Sequence, residues 1–183
     1  MHVRRVVTGH NKEGRSAVIS DQPAPRTHDF AAIPGFSNTV VWAVPDVSAP
    51  ADVPVDATPA LTSLMPGPGG SALTIVQFPP SAVFASIDPA AAAEEEAAAL
   101  PGLADTFDPE MPGFHTTQTI DYQVVLSGQL LLALETGEPT LLQAGDVVIQ
   151  NATKHAWSNP TSAPAVLAAV SIGVEAQQHF SKS

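Results

Sequence analysis

Cysteine is absent from this chain, which excludes disulfides and thiolate chemistry and leaves the redox compartment open. Positive charge is scarce. Seven Lys and Arg face 18 Asp and Glu, a formal net charge of -11, and that balance argues against nucleic acid or an anionic membrane as a partner. A small neutral or weakly charged ligand fits it better. No stretch approaches the roughly 20 apolar residues of a membrane span, and the opening MHVRRVVTGHNKEG is followed by no apolar region of signal-peptide length. The expectation is a soluble cytoplasmic protein with no membrane partner. No segment has the pattern of a helix-turn-helix, which with the acidic balance disfavours a transcription regulator.

What is present reads as β-structure. The 183 residues with 44% hydrophobic content suit one domain, residues 1–183, with a sizeable core. Val3 to Thr8 and Ser16 to Ser20 predict a hairpin around the turn Asn11 to Gly14, and Asn38 to Val44 a third strand. Pro45 to Gly70 is crowded with Pro, Ala, Asp and Gly, the composition of a wrapping segment or loop. Leu73 to Phe78 returns to strand, Pro89 to Leu100 is an Ala-rich helix former ended by Pro101-Gly102, and Ala165 to Ile172 supplies a final strand. Glu94, Glu95 and Glu96 read as a solvated helix face. Many short strands, one short helix and no βαβ alternation point to an all-β sandwich or barrel. Residues 1–70 would form a strand extension and wrapping segment, and about 71–175 the barrel.

The segment from Phe114 to Asn159 carries the chemistry. His115, Thr117 and Asp121 share odd parity, so on one extended strand their side chains leave the same face, with Thr119, Gln123 and Val125 continuing it. Gly128 and Gly137 mark turns around Gln129 to Glu135, and Ala144-Gly145-Asp146 leads into Val147 to Gln150. His155, Trp157 and Asn159 alternate on a further strand closed by Asn159-Pro160. Tyr122 has even parity and should face away from His115 and Asp121, towards an outer layer or an intersubunit sheet. His2, His10, His28 and His179 have no ligand-like spacing and read as surface or loop residues.

This segment resembles the cupin family. The first cupin motif is a glycine, five residues, His-x-His, three or four residues, Glu, six residues and Gly; here it reads His115, Thr116, Thr117, three residues, Asp121, six residues and Gly128. The second is a glycine, five residues, Pro-x-Gly, two residues, His, three residues and Asn; here it reads Gly145, five residues, Asn151-Ala152-Thr153, Lys154, His155, three residues and Asn159. Thr117 stands in place of the second metal-binding histidine, Asp121 in place of the glutamate, and Pro109 in place of the first glycine. The loop before His155 is one residue short and lacks the Pro-x-Gly. The resemblance implies a jelly-roll β-barrel with an inner pocket, polar at one end and apolar deeper in.

Two imidazoles and a carboxylate, His115, His155 and Asp121, match the ligand set of open non-haem iron sites and would also accept Zn, Mn or Ni. Against that, Asp121 is one methylene short, and the Thr117 hydroxyl is a poor ligand for such metals. Three readings stay open: a divalent transition-metal site, a metal-free acid/base pair of Asp121 and His155, and a catalytically silent binding pocket with satisfied polar groups. Thr117, Thr119, Gln123 and Trp157 are the expected lining. The enzyme class implied is an oxygenase, decarboxylase, isomerase or dehydratase acting on a small carbonyl, phenolic or polyketide-like compound. The long stretch ahead of His115 predicts an amino-terminal hairpin that extends the sheet or crosses to a partner in a homodimer.

Overall fold

The structure is a computed structural model describing residues 2–45 and 54–175; part of the expected wrapping segment, and His179, lie outside the described residues. Alternating polarity produces two sheets that bury one face against each other. The larger is built from β3 (Arg26–Asp29), β4 (Ser37–Val44), β5 (Ser71–Phe78), β6 (Thr119–Ser127), β9 (Val147–Asn151) and β11 (Ala165–Gly173), in the order β3-β4-β5-β11-β6-β9. The smaller is β7 (Gln129–Leu134), β8 (Thr140–Gln143) and β10 (His155–Ser158), in the order β10-β7-β8. Every strand pair is antiparallel. The expected all-β jelly roll is the observed fold.

Two apolar clusters hold the layers. Val125, Leu130, Ala165 and Leu167, with Phe78, Leu142 and Trp157 against them, join the sheets. Phe30, Ile33, Val40, Leu64, Ala92 and Leu100 form the second, where the helix α1 (Pro89–Ala99) and the adjoining loops cover the β4 end of the larger sheet. The helix starts where expected because Asp88 caps it, its carboxylate accepting from the amides of Ala90 and Ala91. Its acidic run is more than a solvated face. Glu95 accepts from the amides of Ala31 and Ala32 and from His28, fastening the helix to the loop after β3.

The amino-terminal strands β1 (Arg4–His10) and β2 (Ser16–Pro23) form a two-stranded sheet of their own instead of extending the larger one. Arg5 attaches this hairpin to the body: it donates to the Val41 carbonyl at 3.1 Å, pairs with Asp56 at 2.7 Å and lies over the Trp42 ring. At the β6–β7 turn Gly128 has φ +74° and its Cα lies against Ala165; an added Cβ would stand 2.9 Å from that backbone, so only glycine fits.

Candidate functional site

The first surprise is where His115 sits. The expected continuous strand from His115 to Asp121 is broken: β6 begins at Thr119, and His115 pairs instead with His155 in an antiparallel bridge, backbone amide to carbonyl in both directions at 2.9 and 3.0 Å. A second bridge joins His115 to Phe107. Residues Thr116–Gln118 therefore cross from the smaller sheet to the larger, so the two histidines belong to one sheet and Asp121 to the other. Shared strand parity therefore does not relate His115 to Asp121.

On the smaller sheet the histidines are direct cross-strand neighbours, with ring centroids 4.3 Å apart. Phe107 meets His115 edge-on at 5.1 Å and Trp157 stands edge-on to His155 at 6.5 Å, so four rings form one continuous row. Each imidazole has its Nδ1 on a backbone carbonyl, His115 on Gly113 at 3.2 Å and His155 on Thr153 at 2.9 Å. A carbonyl can only accept, so Nδ1 carries the proton in both rings and Nε2 keeps its lone pair. Burial and the neighbouring His155 lower His115 to about 4, and burial lowers His155. Both rings are neutral at pH 7.

On the larger sheet Thr119, Asp121, Gln123 and Val125 alternate inward, all buried, as expected. Burial raises the Asp121 carboxyl above its ordinary range, while the Ser171 and Thr119 hydroxyls and His115 pull it down. One oxygen, Oδ1, has no hydrogen-bond partner. Thr117 is buried and its hydroxyl meets that of Thr119 at 2.7 Å. Neighbours on the same inner face are small: Ser171 lies opposite Asp121, Ala169 opposite Gln123, and Thr74 beyond Ala169. All three keep partial exposure, unlike Leu167 one step deeper. The inner face is polar around Asp121 and becomes packed apolar core at Val125 and Leu167.

The donor set fits a metal only in part. The two Nε2 atoms have the tautomer that metal ligation needs, yet among the described residues no group of three or more His, Cys, Asp or Glu side chains is placed to hold a metal ion. The physical reason lies in the short Asp121 side chain, turned among the hydroxyls of its own sheet, and in Thr117, which spends its oxygen on Thr119. Sequence reasoning missed Phe107 and the ion pair of Lys154 with Asp108. Asp108 also accepts from the amides of Glu110 and Met111, so the pair fastens the Phe107–His115 segment beside His155. A lone lysine next to the motif histidine was the available signal for it; Phe107 had none.

No protein-family model matches the chain. Over 50 residues it is 46% identical to "Oryzines biosynthesis cluster protein J" of Aspergillus oryzae, covering 27% of this chain and 28% of that protein. Over 47 residues it is 43% identical to "Cupin-domain-containing oxidoreductase srdD" of Neurospora crassa, covering 26% and 24%. The matched segments thus span about a quarter of these relatives' length. An RmlC-like cupin with a double-stranded β-helix fold from Methanocaldococcus jannaschii superposes with a TM-score of 0.38 at 15% identity, over 56% of this chain and 70% of that one. Likeness to proteins named as cupins is thus confined to a segment of about a quarter of this chain in sequence.

Proposed function

We propose that the chain is a small-molecule enzyme working by proton transfer in the space between its two sheets, on a small carbonyl, phenolic or polyketide-like compound. The observation that carries this reading is the pairing of opposite proton carriers: two neutral imidazoles offering Nε2 lone pairs, and across from them a buried carboxyl whose proton burial favours. Nε2 of His155 takes a proton from a carbon next to a carbonyl, or from a hydroxyl; Asp121, protonated, gives one to the carbonyl oxygen. Isomerisation or dehydration can follow that exchange. The test follows deuterium uptake from heavy water into an enolisable probe, 2,4-dihydroxyacetophenone. Uptake catalysed by the wild type and lost in His155→Ala supports the reading; uptake indifferent to both His155→Ala and Asp121→Asn overturns it.

A second reading is favoured by the adjacent imidazole rings and by the word "oxidoreductase" in the names of partial relatives. His115 and His155 would hold one divalent transition metal (Fe, Zn, Mn or Ni), which would supply Lewis-acid or redox chemistry. Elemental analysis of protein purified without chelators or an affinity tag decides it: stoichiometric metal lost in His155→Ala supports a metal enzyme, and metal-free active protein excludes one.

The assembly proposed is a homodimer formed through the outer face of the larger sheet. There Tyr122 pairs with Ile149 and Val124 with Val147 across β6 and β9, and Tyr122, Val147 and Ile149 are exposed. A second copy suits this face because the chain's charge is divided: four of its seven basic residues lie in the first 15 positions, while 16 of its 18 acidic residues follow Pro23. The exposed hairpin, carrying Val6, Val18 and Ile19 as well, thus matches an acidic apolar body in both charge and polarity. Cytoplasmic location is proposed with it; no helix among the described residues is long and apolar enough to cross a membrane.

A further inference from the structure

Counting donors and acceptors on the facing inner surfaces gives an imbalance. Asp121 Oδ1 and Gln123 Oε1 are buried acceptors without a partner, and their residues are only 4% and 5% exposed. On the smaller sheet the two imidazoles keep Nε2 lone pairs as acceptors, since both Nδ1 protons are already committed. Buried acceptors left unmet are costly, about 1–3 kcal/mol each, so their retention at one place calls for a partner. Nearby donors are largely spent: Gln150, opposite Asp121 on β9, gives its amide nitrogen to Thr153, and the Thr117 and Thr119 hydroxyls meet each other. Trp157 Nε1 is a buried donor without a partner.

Charge is the second half of the argument. None of β5, β6, β7, β9, β10 and β11 contains a single Lys or Arg. Lys154, the basic residue closest in sequence to the site, is held by Asp108. Nothing on these surfaces neutralises a carboxylate or phosphate. From the unmet acceptors and the missing cation we infer that the ligand is an uncharged hydroxyl donor, an aromatic or enolic compound carrying at least two OH groups, with Trp157 free to donate to one ligand oxygen. The row of four rings from Phe107 to Trp157 supplies edges and faces for a planar body. This rests on the pocket being a small-molecule site, and it names what that site selects.

Three probes of one ring size separate the outcomes: resorcinol, its donor-free twin 1,3-dimethoxybenzene, and benzoate. Binding to chelator-treated protein is measured by calorimetry at pH 7.5. Resorcinol is expected to bind at least roughly tenfold more tightly than either, the worth of about one hydrogen bond, and Gln123→Leu to erase that preference while staying folded. Dimethoxybenzene binding as tightly as resorcinol, or benzoate binding more tightly, overturns the hydroxyl-donor assignment and leaves the pocket standing. A preference that survives both Gln123→Leu and Asp121→Asn overturns the placement of the site. Binding of none of the three overturns this inference together with the proposed function.

Discussion

The two faces of the larger sheet invert the usual order of a soluble β-protein. Its inner face buries Asp121, Gln123, Thr119 and Gln150, while its outer face exposes Tyr122, Leu126, Val147 and Ile149. Alternate residues of one strand, β6, supply both. An antiparallel sheet normally hides apolar side chains and wets polar ones, and each departure has a cost: unmet hydrogen bonds inside, unburied apolar surface outside. The proposed ligand inside and the proposed second copy outside would each relieve one of these costs. Where the inner face is ordinary, at Val125, Leu130 and Leu167, it is core.

Matched leucines give the largest contrast. Leu130 is 0% exposed in the cluster between the sheets and Leu126 is 50% exposed on the outer face. Leu130→Ala should cost about 3 kcal/mol of stability by urea unfolding of the monomer, whereas Leu126→Ala should cost under ~0.5 kcal/mol. Equal losses would erase the distinction between the faces.

Next comes the pH dependence of the inner face. His115 titrates at about 4 in the fold against roughly 6.5 in the unfolded chain. As pH falls below that upper value the unfolded chain takes up the proton first, so the contribution is fully present above about 6.5 and is lost as pH falls through 4. Discounted for partial exposure it is on the order of 2 kcal/mol. Asp121, raised by burial, works in the opposite direction, losing stability as pH rises. Urea midpoints of chelator-treated wild type and His115→Gln at pH 7.5 and 4.5 isolate the histidine: the variant should show the smaller drop.

On the outer face, Ile149→Asp should convert a dimer to a monomer in light scattering and leave the unfolding of the isolated subunit within about 0.5 kcal/mol. A wild type that is already monomeric removes the dimer proposal. The inner counterpart is Asp121→Asn, expected to unfold at a higher urea concentration than the wild type at pH 8 because burial disfavours the carboxylate, while losing deuterium uptake. Smallest is Ala152→Gly. Ala152 has φ 50° in the short turn before His155, a left-handed conformation that costs a non-glycine residue about 1 kcal/mol, so glycine should gain roughly 0.5 kcal/mol.

Local signals were enough for the strands and the helix. The strand β11, the turns at Gly128 and Gly145, and the helix opening at Pro89 are decided within a few residues by backbone sterics and polarity, and these are where they were expected. That Thr119, Asp121 and Gln123 face inward was legible because strand parity is fixed by geometry. The sequence by itself therefore determined the jelly roll and the polar character of its inner wall. Only the tertiary structure decided that His115 leaves its strand to pair with His155, that Phe107 and the Lys154–Asp108 pair hold it there, that Glu95 fastens the helix, and that the amino-terminal hairpin stands apart from the larger sheet. Those outcomes rest on contacts between residues far apart along the chain, whose energies depend on how two sheets meet and leave no periodic trace in either partner's neighbourhood.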